Sequence, residues 1–363
     1  MAEQQTATKE LQEGDVDTII SVRDLRTHFY TDLGVARALN GTNLDIPRGK
    51  VLGVVGESGC GKSVMALSIM QLVPRPGRIV TGEVRLTRLR NSMSGDGTQI
   101  REEINLTQLE RNGPAIRRIR GAEIAMIFQE PMTSLNPCYT VGDQIVEAIL
   151  LHQKKSEREP ERRAVDMLDR VGMPNAKAVL GSFPHELSGG MRQRAMIAMA
   201  LSCAPSMLIA DEPTTALDVT TEAQILDVMR DLQGALGMTI MFITHNLGVV
   251  AQMCDEVAVM YLGRVVERAP VEDIFYNPMH PYTQALLHSI PRVGSRSRER
   301  LQPIRGVVPD PYTEISGCAF YPRCDKGMAG KCDLAWPVRT AVGENHIVRC
   351  YLYSDEGEIE HDG

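Results

Sequence analysis

The chain has 363 residues and a formal charge of −7. That is long enough for one large domain and a smaller one. The acidic balance excludes a polyanion held by bulk electrostatics, so no nucleic acid is expected as a partner. The longest apolar runs, such as Met207-Leu208-Ile209-Ala210 and Ile240-Met241-Phe242-Ile243, are of strand length and far short of a bilayer span. The acidic start, Met1–Asp17, lacks the basic-then-apolar pattern of a secretion signal. A cytoplasmic protein is expected, in which eight cysteines do not form a disulfide framework.

Residues 1–17 read as a disordered tail. Ile19 to Tyr30 follows as a strand, with Val22, Leu25 and Phe29 as its apolar punctuation. Thr42 to Ile46 is a second short strand, turned by Pro47-Arg48-Gly49 into the apolar run Lys50 to Val55. Next comes Gly56-Glu57-Ser58-Gly59-Cys60-Gly61-Lys62-Ser63, and then the helical run Val64 to Met70. Strand, glycine-rich loop and helix in that order make G-x-x-x-x-G-K-[ST] a phosphate site. The glycines let successive N–H groups curl inward on anionic oxygens. The helix opening near Gly61 adds its positive end. Lys62 reaches the β- and γ-phosphates, and the Ser63 hydroxyl holds Mg²⁺. Cys60 reads as a small tolerated side chain, and Cys138, Cys203 and Cys254 as packing.

Further on, Thr81 to Leu86 begins a strand, and the polar stretch Arg88 to Gln99 reads as an exposed loop insertion. Glu123 to Phe128 is a buried strand ending at Gln129. From about 130 to 205 the pattern turns helical, with stripes at Ile145, Ile149 and Leu150 and at Val165, Leu168 and Val171. Leu187 to Arg194 opens a helix that runs to about Cys203. Ser188 suits its N-cap, and two glycines allow close approach to an end that favours phosphate. Strands at Ser206–Asp211 and Thr239–His245 flank a helix at Thr220–Leu236, and Glu256–Met260 with Gly263–Glu267 forms a closing hairpin. The strand Leu208–Asp211 delivers two carboxylates at its tip. Asp211 suits Mg²⁺, and Glu212 is placed to polarise an attacking water as general base. Such a pair is costly on a buried strand unless a cation or a reaction uses it.

Together these motifs resemble the nucleotide-binding subunit of an ATP-binding-cassette (ABC) transporter. The match runs over about residues 18 to 270: Walker A at 56–63, Q-loop at Gln129, signature at 187–191, Walker B at 207–212, D-loop at Ala216-Leu217-Asp218 and switch histidine at His245. The resemblance implies an α/β P-loop NTPase fold over 18–272. Its parts are a RecA-like core, a helical subdomain at about 130–205 and an antiparallel β segment. It also implies an ATP-binding set of Phe29, Gly56, Ser58, Gly59, Cys60, Gly61, Lys62, Ser63 and Val64. Phe29 is the match to the adenine-stacking aromatic, with Tyr30 as the alternative. Ser63, Gln129 and Asp211 are implied for Mg²⁺, and Glu212, His245 and Gln129 for catalysis. Gln129 also senses the membrane subunits, and His245 contacts the γ-phosphate. Ser188, Gly189 and Gly190 reach across a dimer to the partner's ATP, with Asp218 in the D-loop. Met191 departs from the glutamine common in the family and leaves the backbone donors in place.

Two segments narrow the branch. Phe183-Pro184-His185-Glu186, and Asp273 to Pro278 continuing through His280-Pro281-Tyr282-Thr283 to Pro291, resemble the oligopeptide/dipeptide importers. That branch includes nickel and some oligosaccharide importers. It implies a second, different ATPase subunit, two membrane permease subunits and, indirectly, an extracytoplasmic binding protein. The chain is then expected at the cytoplasmic face of a bacterial or archaeal membrane. A soluble ABC ATPase outside transport is the rival reading. After a basic linker at Arg292–Arg300, Cys318, Cys324, Cys332 and Cys350 stand as C-x5-C-x7-C-x17-C. This spacing fits neither common zinc pattern. Four thiolates can hold a [4Fe–4S] cluster, and the resemblance supports one in a small Cys-rich domain at 273–352. Zinc or simple packing are the alternatives. His346 reads as an ordinary loop histidine, and 353–363 as an acidic tail. Lying outside the six ATPase motifs, the cysteines are expected to be dispensable for ATP binding.

Overall fold

Runs that are apolar without alternation become strands covered on both faces, as parallel pairing requires. Val51–Val55, Met207–Asp211, Thr239–Ile243 and Glu256–Tyr261 are buried at every residue. The computed structural model describes residues 7–10, 17–91, 99–129, 134–153, 159–215, 217–289 and 304–354. It divides into two units, one of residues 1–46, 52–108 and 244–363 and one of 47–51 and 109–243.

In the first unit Val51–Val55 pairs parallel with Glu256–Tyr261, Leu52 opposite Glu256 and Val55 opposite Val259. Gly53 allows this face to be covered closely, since a Cβ there would meet Cys254 Sγ at 2.8 Å. Burial pushes the Cys254 thiol up to about 12, in keeping with a packing role. Glu256–Tyr261 then turns back antiparallel into Arg264–Pro270, the expected hairpin. His346–Val348 and Thr340–Gly343 continue that sheet.

A second sheet in this unit has the order Ala7–Glu10, Gln99–Asn105, Gly77–Asn91, Thr18–Thr31, Gly34–Pro47. Two expectations change here. Ala7–Glu10, read as disordered tail, is a strand with Ala7 opposite Glu103. Arg88–Asn91 and Gln99, the two ends of the stretch read as a loop, are ladder, because pairing continues out to Asn91 opposite Gln99. Residues 92–98, and the acidic tail from 355, lie outside the described residues. Cross-strand ion pairs run between Arg85 and Glu103 and between Arg88 and Glu102, each at 3.8 Å. Such pairs stabilise a ribbon that has little apolar alternation.

Beyond the hairpin the first unit carries helices Val271–Tyr276 and Pro281–His288, and a single 3-10 turn at Tyr321–Arg323. A buried carboxylate ties the start of helix Pro281–His288 to strand His346–Val348. Glu267 accepts from the N–H groups of Met279 (2.7 Å) and His280 (2.9 Å) and bonds His346 Nε2 at 2.8 Å.

In the second unit Met207–Asp211 lies between Ile124–Ile127 and Thr239–Ile243, parallel to both. Helices Val141–His152, Pro160–Arg170, Ala176–Val179 and Gly189–Leu201 occupy the stretch read as helical. The first is fixed at its start by reciprocal bonds between Thr140 and Asp143. Val219–Leu236 joins two of the strands and stops at Gly237, at φ 61°. No helix among the described residues is long and apolar enough to cross a membrane.

Candidate functional site

The glycine-rich loop leaves the strand Val51–Val55 with Gly56 at φ 151°, where a Cβ would meet the Met260 carbonyl at 2.3 Å. Gly61, at φ 103°, faces the Ala38 carbonyl, which a Cβ would meet at 2.5 Å. Neither position admits a side chain. The Cys60 carbonyl accepts from Gly263 N–H at 2.8 Å, so the hairpin turn braces the far side of the loop. Lys62 is buried and donates to the carbonyls of Gly56 (2.8 Å) and Glu57 (3.2 Å). Cys60 Sγ is 3.8 Å from Lys62 Nζ, and burial raises its thiol pKa. Helix Lys62–Ile69 starts at once, with Gly61 at its N-cap. Ser63 and Val64 therefore lie in the first turn, the end of a helix that favours anions.

In the same unit Phe29 lies opposite Gly77, and its ring fills the space above that glycine, where a Cβ would meet it at 2.6 Å. Tyr30 is exposed, with the Arg78 guanidinium 4.2 Å from its ring centre. His245 is exposed just past Ile243. Thr244 N–H donates to the Val54 carbonyl at 3.3 Å, and Asn246 caps helix Leu247–Met253 through Gly248 N–H. The histidine is thus held between a strand end and a helix start.

Sequence reasoning missed what grips Glu57. Arg323 Nη1 and Nη2 donate to its two carboxylate oxygens at 2.7 and 3.0 Å, 266 residues away in the chain. The Glu57 N–H donates to Tyr282 Oη at 2.8 Å, and its carbonyl accepts from Cys60 N–H at 3.2 Å. Arg323 is itself fixed by the Arg305 carbonyl (2.9 Å) and Tyr261 Oη (3.2 Å). Tyr261, Tyr282 and Phe320 form a ring cluster with centroids 4.7–5.4 Å apart. No local pattern marks Glu57, which stands at a variable loop position.

The second unit holds the carboxylates. Asp211 ends its strand buried, 4% exposed. Glu212 follows at φ 47°, a conformation that costs a non-glycine residue and tends to occur at functional sites. Its N–H donates to the Ile243 carbonyl at 2.9 Å, which holds the turn. The side chain accepts at Oε2 from Gln129 Nε2 (3.0 Å) and Thr215 Oγ1 (2.9 Å). The Q-loop amide and the carboxylate read as general base are therefore in direct contact.

Ser188 caps helix Gly189–Leu201 by accepting from Met191 N–H at 3.3 Å. The two glycines after it differ. Gly189 is exposed and a Cβ there would meet nothing within 4 Å, whereas at Gly190 it would meet Thr221 Cγ2 at 2.6 Å. Gly190 thus serves helix packing whatever else it does. Asp218 caps helix Val219–Leu236, accepting from Thr221 N–H (3.0 Å) and Oγ1 (2.7 Å). Those bonds hold its carboxyl below the usual range. Ala216 lies outside the described residues.

Cys318, Cys324, Cys332 and Cys350 line one cavity, with Phe320, Tyr321, Met328 and Leu352 in its wall. Burial, with the neighbouring thiols adding to it, pushes Cys318 up to about 12 and Cys350 up to about 11. His346 does not line this cavity and instead bonds Glu267. Among the described residues no group of three or more His, Cys, Asp or Glu is found that could hold a metal ion.

Residues 39–215 match the ABC transporter family, and residues 266–332 match the oligopeptide/dipeptide transporter C-terminal region. The oligopeptide transport ATP-binding protein AppD of Bacillus subtilis is 45% identical over 343 residues, 94% of this chain and 99% of that one. A Brucella ovis protein named as a peptide import ATP-binding protein is 48% identical over 93% of this chain and 98% of its own. The dipeptide transport ATP-binding protein DppD of Escherichia coli is 42% identical over 93% and 98%. Among solved structures, the dimeric ABC transporter cassette MJ0796 superposes with a TM-score of 0.58 at 25% identity, over 69% of this chain and 98% of that one. The same cassette is also known in a post-hydrolysis state with ADP and Pi.

Proposed function

This chain belongs to the ABC transporter ATPases, in the oligopeptide/dipeptide import branch, and from that premise we propose how its residues serve the import of peptides. The chain is the ATP-hydrolysing subunit. It pairs with a second, different ATPase subunit on two membrane permeases at the cytoplasmic face of a bacterial membrane, and a binding protein outside delivers the peptide. The Walker A N–H groups and Lys62 hold the phosphates, and Phe29 or Tyr30 stacks on adenine. Ser63, Asp211 and Gln129 would hold Mg²⁺, which would supply charge neutralisation at the phosphates. Glu212 takes the proton of the attacking water, oriented through Gln129, while His245 contacts the γ-phosphate. Ser188, Gly189 and Gly190 present a helix start to the ATP of the partner subunit. ATP binding closes the dimer and hydrolysis reopens it, and the permeases follow that motion.

The observation that carries this reading is the Gln129–Glu212 contact on a strained backbone turn at the tip of a buried strand. The deciding experiment is uptake of a labelled dipeptide by cells in which this chain carries Lys62→Ala. Peptide uptake should be lost. Normal peptide uptake with loss of nickel or oligosaccharide uptake would overturn the peptide assignment.

The cysteines fit a [4Fe–4S] cluster by their chemistry. Four thiols line one mostly apolar cavity, and a [4Fe–4S] cluster would take one thiolate on each of its four irons. The raised thiol pKa values mean that ligation releases protons. Such a cluster would hold together a segment with little regular structure.

A further inference from the structure

We propose that Arg323 and Tyr282 are positioning residues for ATP, which fix Glu57 and through it the phosphate-binding curve of the Walker A loop. The loop's donors point inward only in one conformation, and Gly56, Gly59 and Gly61 all sit at positive φ. A glycine-rich chain loses much freedom on ordering, so whatever holds it beforehand raises affinity. Glu57 is where that hold is applied. Its N–H is tied to Tyr282, its carbonyl to Cys60 N–H and Lys62, and its carboxylate to the fork of Arg323.

Two features set this apart from ordinary packing. The Arg323 side chain is 3% exposed and bidentate, a geometry that the lysine ammonium cannot reproduce. In addition, Glu57 places a carboxylate within a loop built for a polyanion. Arg323 neutralises it, and without Arg323 the loop would repel the phosphates. Both anchors come from the C-terminal segment. Tyr282 lies in helix Pro281–His288, and Arg323 lies in the 3-10 turn between Cys318 and Cys324. The proposal does not depend on what the four cysteines hold.

The test is equilibrium ATP binding to the full chain, with ATPase kinetics in the assembled transporter. Arg323→Gln should weaken ATP about tenfold, and Arg323→Lys should recover part of that. Tyr282→Phe keeps the ring cluster and should weaken ATP several-fold, about three to five, with the melting temperature unchanged. In the transporter KM for ATP should rise while kcat holds, because the loop binds ground and transition states alike. With Glu57→Gln in place, adding Arg323→Gln should change affinity little further, since the arginine acts through Glu57. Unchanged ATP affinity in a folded Tyr282→Phe chain would overturn the proposal, and so would full additivity of the Glu57 and Arg323 variants. If Arg323→Gln does not fold, the Tyr282→Phe result decides.

Discussion

Gln129 Nε2 donates to Glu212 Oε2 across 3.0 Å, joining two residues 83 positions apart in the chain. The amide comes from the end of strand Ile124–Ile127, and the carboxylate from the turn after Met207–Asp211. These strands are parallel neighbours, so their C-terminal ends emerge side by side. That is where parallel α/β sheets place their chemistry. Gln129→Ala should leave Glu212 with less orientation and lower steady-state ATPase about tenfold, while equilibrium binding of ATP measured without Mg²⁺ stays within about twofold. Loss of binding in step with activity would mean that Gln129 holds nucleotide and does not orient the base.

The two signature glycines should separate in their effects. Gly189→Ala meets open space, so the chain should keep its melting temperature. In the proposed dimer the added methyl would face the partner's nucleotide, so ATPase of the assembled dimer should fall. Gly190→Ala should lower the melting temperature by crowding Thr221, a cost of about 1–3 kcal/mol. Ser188→Arg should spare ATP binding to the isolated chain and impair hydrolysis in the dimer. Equal loss in both would contradict a site completed by a second subunit.

Much of this was legible because it is local. Walker A announces itself by spacing, and its flanking strand and helix by apolar runs. Among the described residues the helical stretch read at 130–205 holds the α-helices Val141–His152, Pro160–Arg170, Ala176–Val179 and Gly189–Leu201. What escaped had no local signature. The far end of the ribbon of Gly77–Asn91 and Gln99–Asn105 has a polar sequence with little apolar alternation, so it reads as loop. The grip of Arg323 on Glu57 links residues from opposite ends of the chain. Gly190 looked like a phosphate-approach glycine, and its contact with Thr221 is a packing need that only the fold reveals.

The four cysteines, outside the ATPase motifs, read as dispensable for ATP binding. Arg323, set between Cys318 and Cys324, bonds Glu57 of the Walker A loop, a link that no motif announces. Protein purified without oxygen should absorb broadly in the visible and contain about four iron and four acid-labile sulfide per chain. Cys324→Ser should lose both and weaken ATP binding through the loosened Arg323 turn. Stoichiometric zinc without iron would replace the cluster with a zinc site.

Acid should loosen the same region. His280 is buried, its Nδ1 accepts from Tyr282 N–H at 3.0 Å, and burial lowers its pKa to about 4, against an opposing pull from Glu267. Protonation would turn that acceptor into a donor facing a donor. A histidine depressed in the folded state contributes stability that is present above its unfolded pKa near 6.5. That stability is lost as pH falls toward 4, on the order of 3 kcal/mol in all. Denaturation followed from pH 7 to pH 4 should show this decline, and His280→Asn should flatten it. An unchanged slope in the variant would place the acid sensitivity elsewhere.

The central claim is that this chain hydrolyses ATP with Glu212 as general base. It is tested most directly by single-turnover hydrolysis in the Glu212→Gln chain, assembled with its partners and loaded with ATP. The account predicts tight retention of ATP in a closed dimer and hydrolysis slowed by at least about a hundredfold. Hydrolysis within a few-fold of the unmodified chain, with ATP equally well bound, would contradict it.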